Sequence, residues 1–144
     1  MPYATLQDLI ERAGELEIKQ ISDRDRDGTP DPDVIDAAIA GAASMIDGYL
    51  GSRYGLPMPE VPDLVNTWAV SIARYQLHRN GAPDHVERDY KDAVSALKDV
   101  ARGIISLGLP TTASQPAPAQ GQGNVMSSAP PQVFSPANLM GWKP

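Results

Sequence analysis

Four aspartates, Asp23, Asp25, Asp27 and Asp31, with Gly28 among them, are the residues of this chain best placed to hold a charged ligand. Alternate acids followed by a glycine can bring carboxylate oxygens to one point, because the glycine permits the sharp turn that a Ca²⁺ loop needs. In an EF-hand frame that starts at Asp23, the closing position falls on Val34. The bidentate Glu of such a site is therefore missing, and Asp33 comes one residue early. Arg24 and Arg26 stand among the acids and can neutralise them. Two chemistries fit these residues. One is a divalent cation, Ca²⁺ first, held by Asp23, Asp25, Asp27 and Asp31 and stiffening the start of the next helix. The other is a solvated acidic loop that caps that helix.

The remaining reactive side chains are sparse. His78 and His85 flank a turn at Asn80–Pro83 and could meet there as a metal pair, but a surface turn is the better account of them. Neither has a nucleophile at helical or loop spacing. The chain has no Gly-rich phosphate loop, no G-x-S-x-G and no H-E-x-x-H. No active site is expected, and the chain reads as a non-enzyme. Arg53, Tyr54 and Arg74 are of the types enriched at interface hot spots. Ion pairs within the chain, to Asp47, Glu60 or Asp63, would explain the arginines equally well. Trp68 and Tyr75 are expected in the core, because a chain with 6% aromatic residues has few others to fill it.

These residues need elements to position them. The chain has 144 residues, enough for one domain and a tail. Thr5 can cap a first helix that runs to about Gly14, with Asp8 in its first turn and Leu6, Leu9 and Ile10 as its stripe. Asp31, Pro32 and Asp33 open a second helix that ends near Leu50, with Ile35, Ile39, Ala42, Ile46 and Tyr49 on one face. Its middle, rich in Ala and Gly, is slim enough to pack on more than one side. Residues 51–62, with two Gly and three Pro, form an ordered extended connection. Pro62-Asp63 opens a third helix to about Asn80-Gly81, with Leu64, Trp68, Ile72 and Tyr75 as its stripe. Pro83-Asp84 opens a fourth, to about Leu107, with Val86, Tyr90, Val94, Leu97, Ala101 and Ile104 facing inward. Glu87–Lys91 and Arg88–Asp92 add i,i+4 pairs worth roughly 0.2–0.5 kcal/mol each. The expected fold is all-α: a small antiparallel bundle of about four helices over residues 1–109.

Residues 110–144 form a different region, an extended C-terminal arm. A Pro/Ala/Gln/Gly segment without period or charge leads to Phe134, Leu139, Met140 and Trp142. Alone in water such a segment stays disordered, so its apolar end reads as a docking anchor.

Charge and composition exclude several classes. Residues 1–109 carry all 18 acids and 11 of the 12 bases. An acidic body argues against tight grip on phosphate backbones, which depends on Lys and Arg. The absence of Cys fits a reducing cytoplasm. No stretch is long and apolar enough for a transmembrane helix, and Met-Pro-Tyr-Ala-Thr does not begin a secretory signal. No membrane partner is expected.

Five segments together resemble one family: Y-A-T-L-Q-D-L-I at 3–10, I-S-D-R-D at 21–25, I-D-G-Y-L at 46–50, S-R-Y-G-L-P at 52–57 and A-R-Y-Q-L-H at 73–78. They are similar to the small neck proteins, or head–tail connectors, of Mu-like tailed phages and prophages. The resemblance covers roughly residues 1–109, with a weaker match at Phe134-Ser135. It implies a virion protein made in the bacterial cytoplasm and placed between capsid and tail. It implies a closed cyclic ring of about twelve copies on the portal protein. It also implies a tail-side neighbour (a neck or tail terminator protein), DNA passing through the bore without sequence recognition, and arms that reach neighbouring subunits or the portal. The Pro/Ala/Gln segment reads as a local elaboration of that plan. The alternative is a calcium-stiffened protein-interaction module outside any virion.

Overall fold

In the computed structural model, residues 2–112 are described, and they fold as five helices: α1 (Leu6–Ala13), α2 (Glu15–Ser22), α3 (Pro32–Leu50), α4 (Asp63–Leu77) and α5 (Asp84–Arg102). The fold is all-α, as the pattern predicts, but with a helix more than expected. The Pro/Ala/Gln segment and the arm with Phe134, Leu139, Met140 and Trp142 lie outside the described residues.

α1 starts with a capping box. The Thr5 hydroxyl accepts from the Asp8 amide at 3.3 Å, and the Asp8 carboxylate accepts from the Thr5 amide at 2.8 Å. Such caps are worth about 1 kcal/mol. Gly14 ends α1 at φ 88°, and its amide donates to the Ile10 carbonyl. α2 begins on the next residue. The sequence pattern missed it because a single residue, Gly14, separates two short helices. Only Ile18 and Ser22 of its eight residues are buried, so its apolar stripe is thin.

α3 starts at Pro32, as expected, but Asp31 does not cap it through its side chain. The Asp31 carboxylate instead accepts from the Arg24 amide at 2.8 Å, across the acidic loop. Ile35, Ile39, Ala42, Ile46 and Leu50 form its buried face. The slim middle permits contact with both α4 and α5. A Cβ on Gly41 would come within 2.5 Å of the Gln76 side-chain oxygen on α4.

α4 is the central helix and packs on α3, α5 and α1. Its inward stripe keeps Trp68 and Ile72 as expected but takes Val65 in place of Leu64. Val65, Trp68, Ala69, Ile72 and Ala73 are buried, whereas Leu64 is 51% exposed. Trp68 is in the core; Tyr75 is half-buried and stacks on Tyr90 of α5 with ring centroids 4.1 Å apart. α4 stops at Leu77, short of Asn80.

α5 buries Val86, Ala93, Leu97 and Val100. It ends at Arg102 rather than near Leu107, because Gly103 adopts the left-handed conformation at φ 83°. The helix face is thereby cut off, and Ile104, expected inside, is 70% exposed. The chain then returns along the 51–62 connection. The Leu107 amide donates to the Tyr54 hydroxyl at 3.1 Å, and the Thr112 amide to the Arg53 carbonyl at 2.9 Å.

Candidate functional site

The acidic loop joins α2 to α3 and is folded by its own carboxylates. Asp23 accepts from the amides of Asp27 at 3.2 Å and Gly28 at 2.9 Å. Asp25 accepts from the Asp27 amide at 3.1 Å, and Asp27 from the Thr29 amide at 2.7 Å. Arg26 at φ 61° and Gly28 at φ 87° close the turn in the left-handed region. Asp23, Asp25 and Asp27 each offer an oxygen within 4.8 Å of the others. Asp31 is not in that group, since its carboxylate is held by the Arg24 amide. The structure therefore brings three of the four expected ligands together.

The loop's electrostatics follow from this crowding. The Thr29 hydroxyl and amide hold Asp27 below the ordinary carboxylate value. For Asp25 the Asp27 amide acts downward, but loss of solvent and the nearby charges of Asp27 and Asp31 outweigh it, so its carboxyl is raised. Carboxylates crowded this way are the groups a cation relieves.

Of the arginines and tyrosine expected at an interface, Arg74 and Tyr54 are engaged within the body, whereas the Arg53 guanidinium makes no ion pair among the described residues and its Nε is buried without a partner. Arg74 is 8% exposed and grips Glu17 with two bonds of 2.7 Å, Nε to Oε1 and Nη2 to Oε2. Its partner is thus Glu17 on α2, not Asp47, Glu60 or Asp63. The two histidines reach this same pair and not each other's turn. His78 Nε2 lies 3.5 Å from Glu17 Oε1, and His85 Nε2 lies 3.5 Å from Arg74 Nη2. The Arg74 bond keeps the Glu17 carboxyl below its ordinary value against the opposing effect of burial. Tyr54 is 2% exposed and fixes the returning chain through its hydroxyl. Arg53 is half-buried, its guanidinium over Gly103, where a Cβ would collide with it. Asp47 accepts from the Tyr3 hydroxyl instead of an arginine.

What the sequence pattern missed is the set of apolar side chains left outside. Leu6, Leu16, Leu56, Leu64 and Ile104 are 36–70% exposed on a body that already has a full core. Scattered apolar residues are ordinary at a surface, and these five lie on separate segments of the chain. The signal that could have found Leu16 is its position between two glutamates on a helix with little apolar stripe.

Residues 3–127 match the family model described as Bacteriophage Mu, Gp36. The Mu-like prophage FluMu protein gp36 of Haemophilus influenzae is 38% identical over 107 residues, covering 74% of this chain and 76% of that protein. Gene product J of Escherichia phage Mu is 32% identical over 137 residues, covering 94% of this chain and 95% of its own. An alignment that long runs through the Pro/Ala/Gln segment, which is therefore not an addition to this chain alone. The chain belongs to the bacteriophage Mu Gp36 family, a family of Mu-like phages and prophages.

Proposed function

We propose that the chain is a structural virion protein, a head–tail connector that forms a ring between the portal and the tail and gives DNA a passage. The observation that carries this reading is the set of five exposed large apolar side chains on a small helical body, in a chain of a Mu-like phage family. A body with its own core has no internal use for them, and repetition around a ring makes each weak contact effectively intramolecular. The partners are other copies of the chain, about twelve in a closed ring, then the portal on one side and a neck or tail terminator protein on the other. The location is the virion neck, and the role is assembly without catalysis.

The bore wall in this reading is the start of α3. Asp33 and Asp36 are exposed there, Asp25 and Asp27 precede them, and no base follows until Arg53. Negative charge along the wall repels the phosphate backbone and lets DNA slide. Copy number in tailed particles, counted against the portal, tests the reading.

A second reading has its own observation. The convergence of Asp23, Asp25 and Asp27 favours a Ca²⁺ ion that stiffens the α2–α3 loop. This ion would be structural, and it is compatible with the ring as well as with an interaction module outside a virion.

A further inference from the structure

The chain that follows α5 is held to the body by few ties. Gly103 stops the helix, and the ten residues from Gly103 to Thr112 run back along the 51–62 connection as a strap. None of the ten is fully buried. Ile105, Leu107 and Leu109 rest half-buried on the core, and the other seven are exposed. Past the helix cap, the strap's hydrogen bonds to the rest of the described body converge on two residues. The Leu107 amide donates to the Tyr54 hydroxyl at 3.1 Å. The Thr112 amide and hydroxyl both donate to the Arg53 carbonyl, at 2.9 Å and 3.3 Å. Tyr54 and Thr111 form an isolated antiparallel bridge at the same place.

Closure also leaves a group unmet. The Arg53 guanidinium packs against Gly103, the first residue of the strap, so closely that a Cβ there would collide with it. Its Nε is buried with no hydrogen-bond partner among the described residues. A buried donor without a partner is unfavourable, and the penalty goes when water reaches it. The helical body is built differently. Ile46, Leu50, Val65, Ile72, Leu97 and Val100 of α3, α4 and α5 are wholly buried. Segments with few buried apolar contacts and few backbone bonds open at lower free energy than such a core.

We infer that residues 103–112 are a latch that opens as a unit while the five helices stay folded, and that opening lengthens the C-terminal arm. Closed, the latch tethers residues 113–144 at Thr112, on the Arg53 carbonyl. Open, the tether point moves back to Gly103, and ten residues become free leader, up to about 33 Å when extended. The latch thereby sets how far Phe134, Leu139, Met140 and Trp142 can reach, since a tethered group engages only what its linker can span. The inference stands whether or not copies of the chain form a ring.

Hydrogen exchange of the full chain, followed amide by amide by NMR, tests the latch. The Leu107 and Thr112 amides should be protected, yet exchange at least tenfold faster than those of Ile72 and Leu97, through an opening that depends little on urea. Tyr54→Phe should speed Leu107 exchange about fivefold and leave Ile72 and Leu97 unchanged. A lock has the opposite sign. The chain has no cysteine, and a Cβ on Gly55 would lie 3.7 Å from Thr112 Cγ2, so Gly55→Cys with Thr112→Cys can close a disulfide across the latch. Oxidation should slow Leu107 exchange about fivefold against the reduced form of the same variant, because the open state loses its freedom. Exchange of Leu107 and Thr112 only through global unfolding, or no protection of either, overturns the inference. So does a Leu107 rate that is the same in the oxidised and reduced variant. The particle count that tests the ring reading is independent of these rates, so either can fail alone.

Discussion

Glu17 and Arg74 lie 57 residues apart in the sequence and face each other through two bonds of 2.7 Å. The pair ties α2 to α4 and leaves the side chain of Arg74 only 9% exposed. α2 makes few apolar contacts of its own, so this polar clamp is a large part of what holds it against the body. The acidic loop hangs from the end of α2, and the clamp therefore also sets where the loop sits.

Glu17→Gln should destabilise the body by about 1.5–3 kcal/mol, the range for losing a hydrogen bond to a charged group. The guanidinium would keep its burial and lose its counter-charge. Urea unfolding of the two chains at neutral pH measures the difference. A loss under a few tenths of a kcal/mol would mean that the clamp contributes nothing net, as many exposed pairs do.

Stability should fall at both ends of the pH scale, for different reasons. Glu17 is held below its ordinary value of 4.5 chiefly by Arg74, and Asp8 below 3.8 by the Thr5 amide and hydroxyl. A lowered carboxyl contributes stability that is present above its unfolded value and lost as pH falls through the folded one. Tyr3 is raised above 10.0 by burial and by its bond to Asp47. Its contribution is full below the unfolded value and is lost as pH rises toward the folded one. The expected profile is a plateau from about pH 5 to pH 9. Tyr3→Phe should flatten the alkaline side alone, and thermal unfolding across pH checks this. An unchanged alkaline slope would show that Tyr3 does not carry it.

Much of the fold was legible in the sequence because its signals are local. Thr5 with Asp8, Pro32, Pro62-Asp63 and Pro83-Asp84 mark helix starts through backbone chemistry that depends only on near neighbours. The length of α5 was not legible, because a left-handed glycine at 103 stops a pattern that continues in letters to Ile104. α2 was hidden by its thin stripe and by Gly14. On α4, Leu64 and Val65 are equally apolar, and packing against α3 and α5 decides which one is inside. The acidic loop was readable as a convergence of carboxylates, but the departure of Asp31 depends on the fold of the whole loop. The partner of Arg74 was not readable at all, since nothing local points from residue 74 to residue 17.

Calcium should raise the melting temperature if the acidic loop holds an ion. A site without a bidentate Glu belongs at the weak end, with a dissociation constant of about 1 mM. Ten times that concentration then adds about 1.4 kcal/mol. Thermal midpoints in CaCl₂ and in NaCl of equal ionic strength make the comparison. Asp25→Asn should abolish the difference. No shift in the natural chain, or the same shift in both chains, counts against the ion.

Asp33→Lys with Asp36→Lys should slow DNA passage without unfolding the body, since both side chains are exposed at the start of α3. Phages carrying the change should eject DNA more slowly, and most slowly at low salt, where contacts to phosphate are strongest. Ejection at the normal rate at all salt concentrations would remove this face from the bore.

The most direct measurement on the central claim is quantitative mass spectrometry of purified tailed particles, with copies of this chain counted against copies of the portal protein. The connector reading predicts a ratio of roughly one to one, a ring matched to the portal's own closed symmetry. Absence of the chain from mature particles would contradict it.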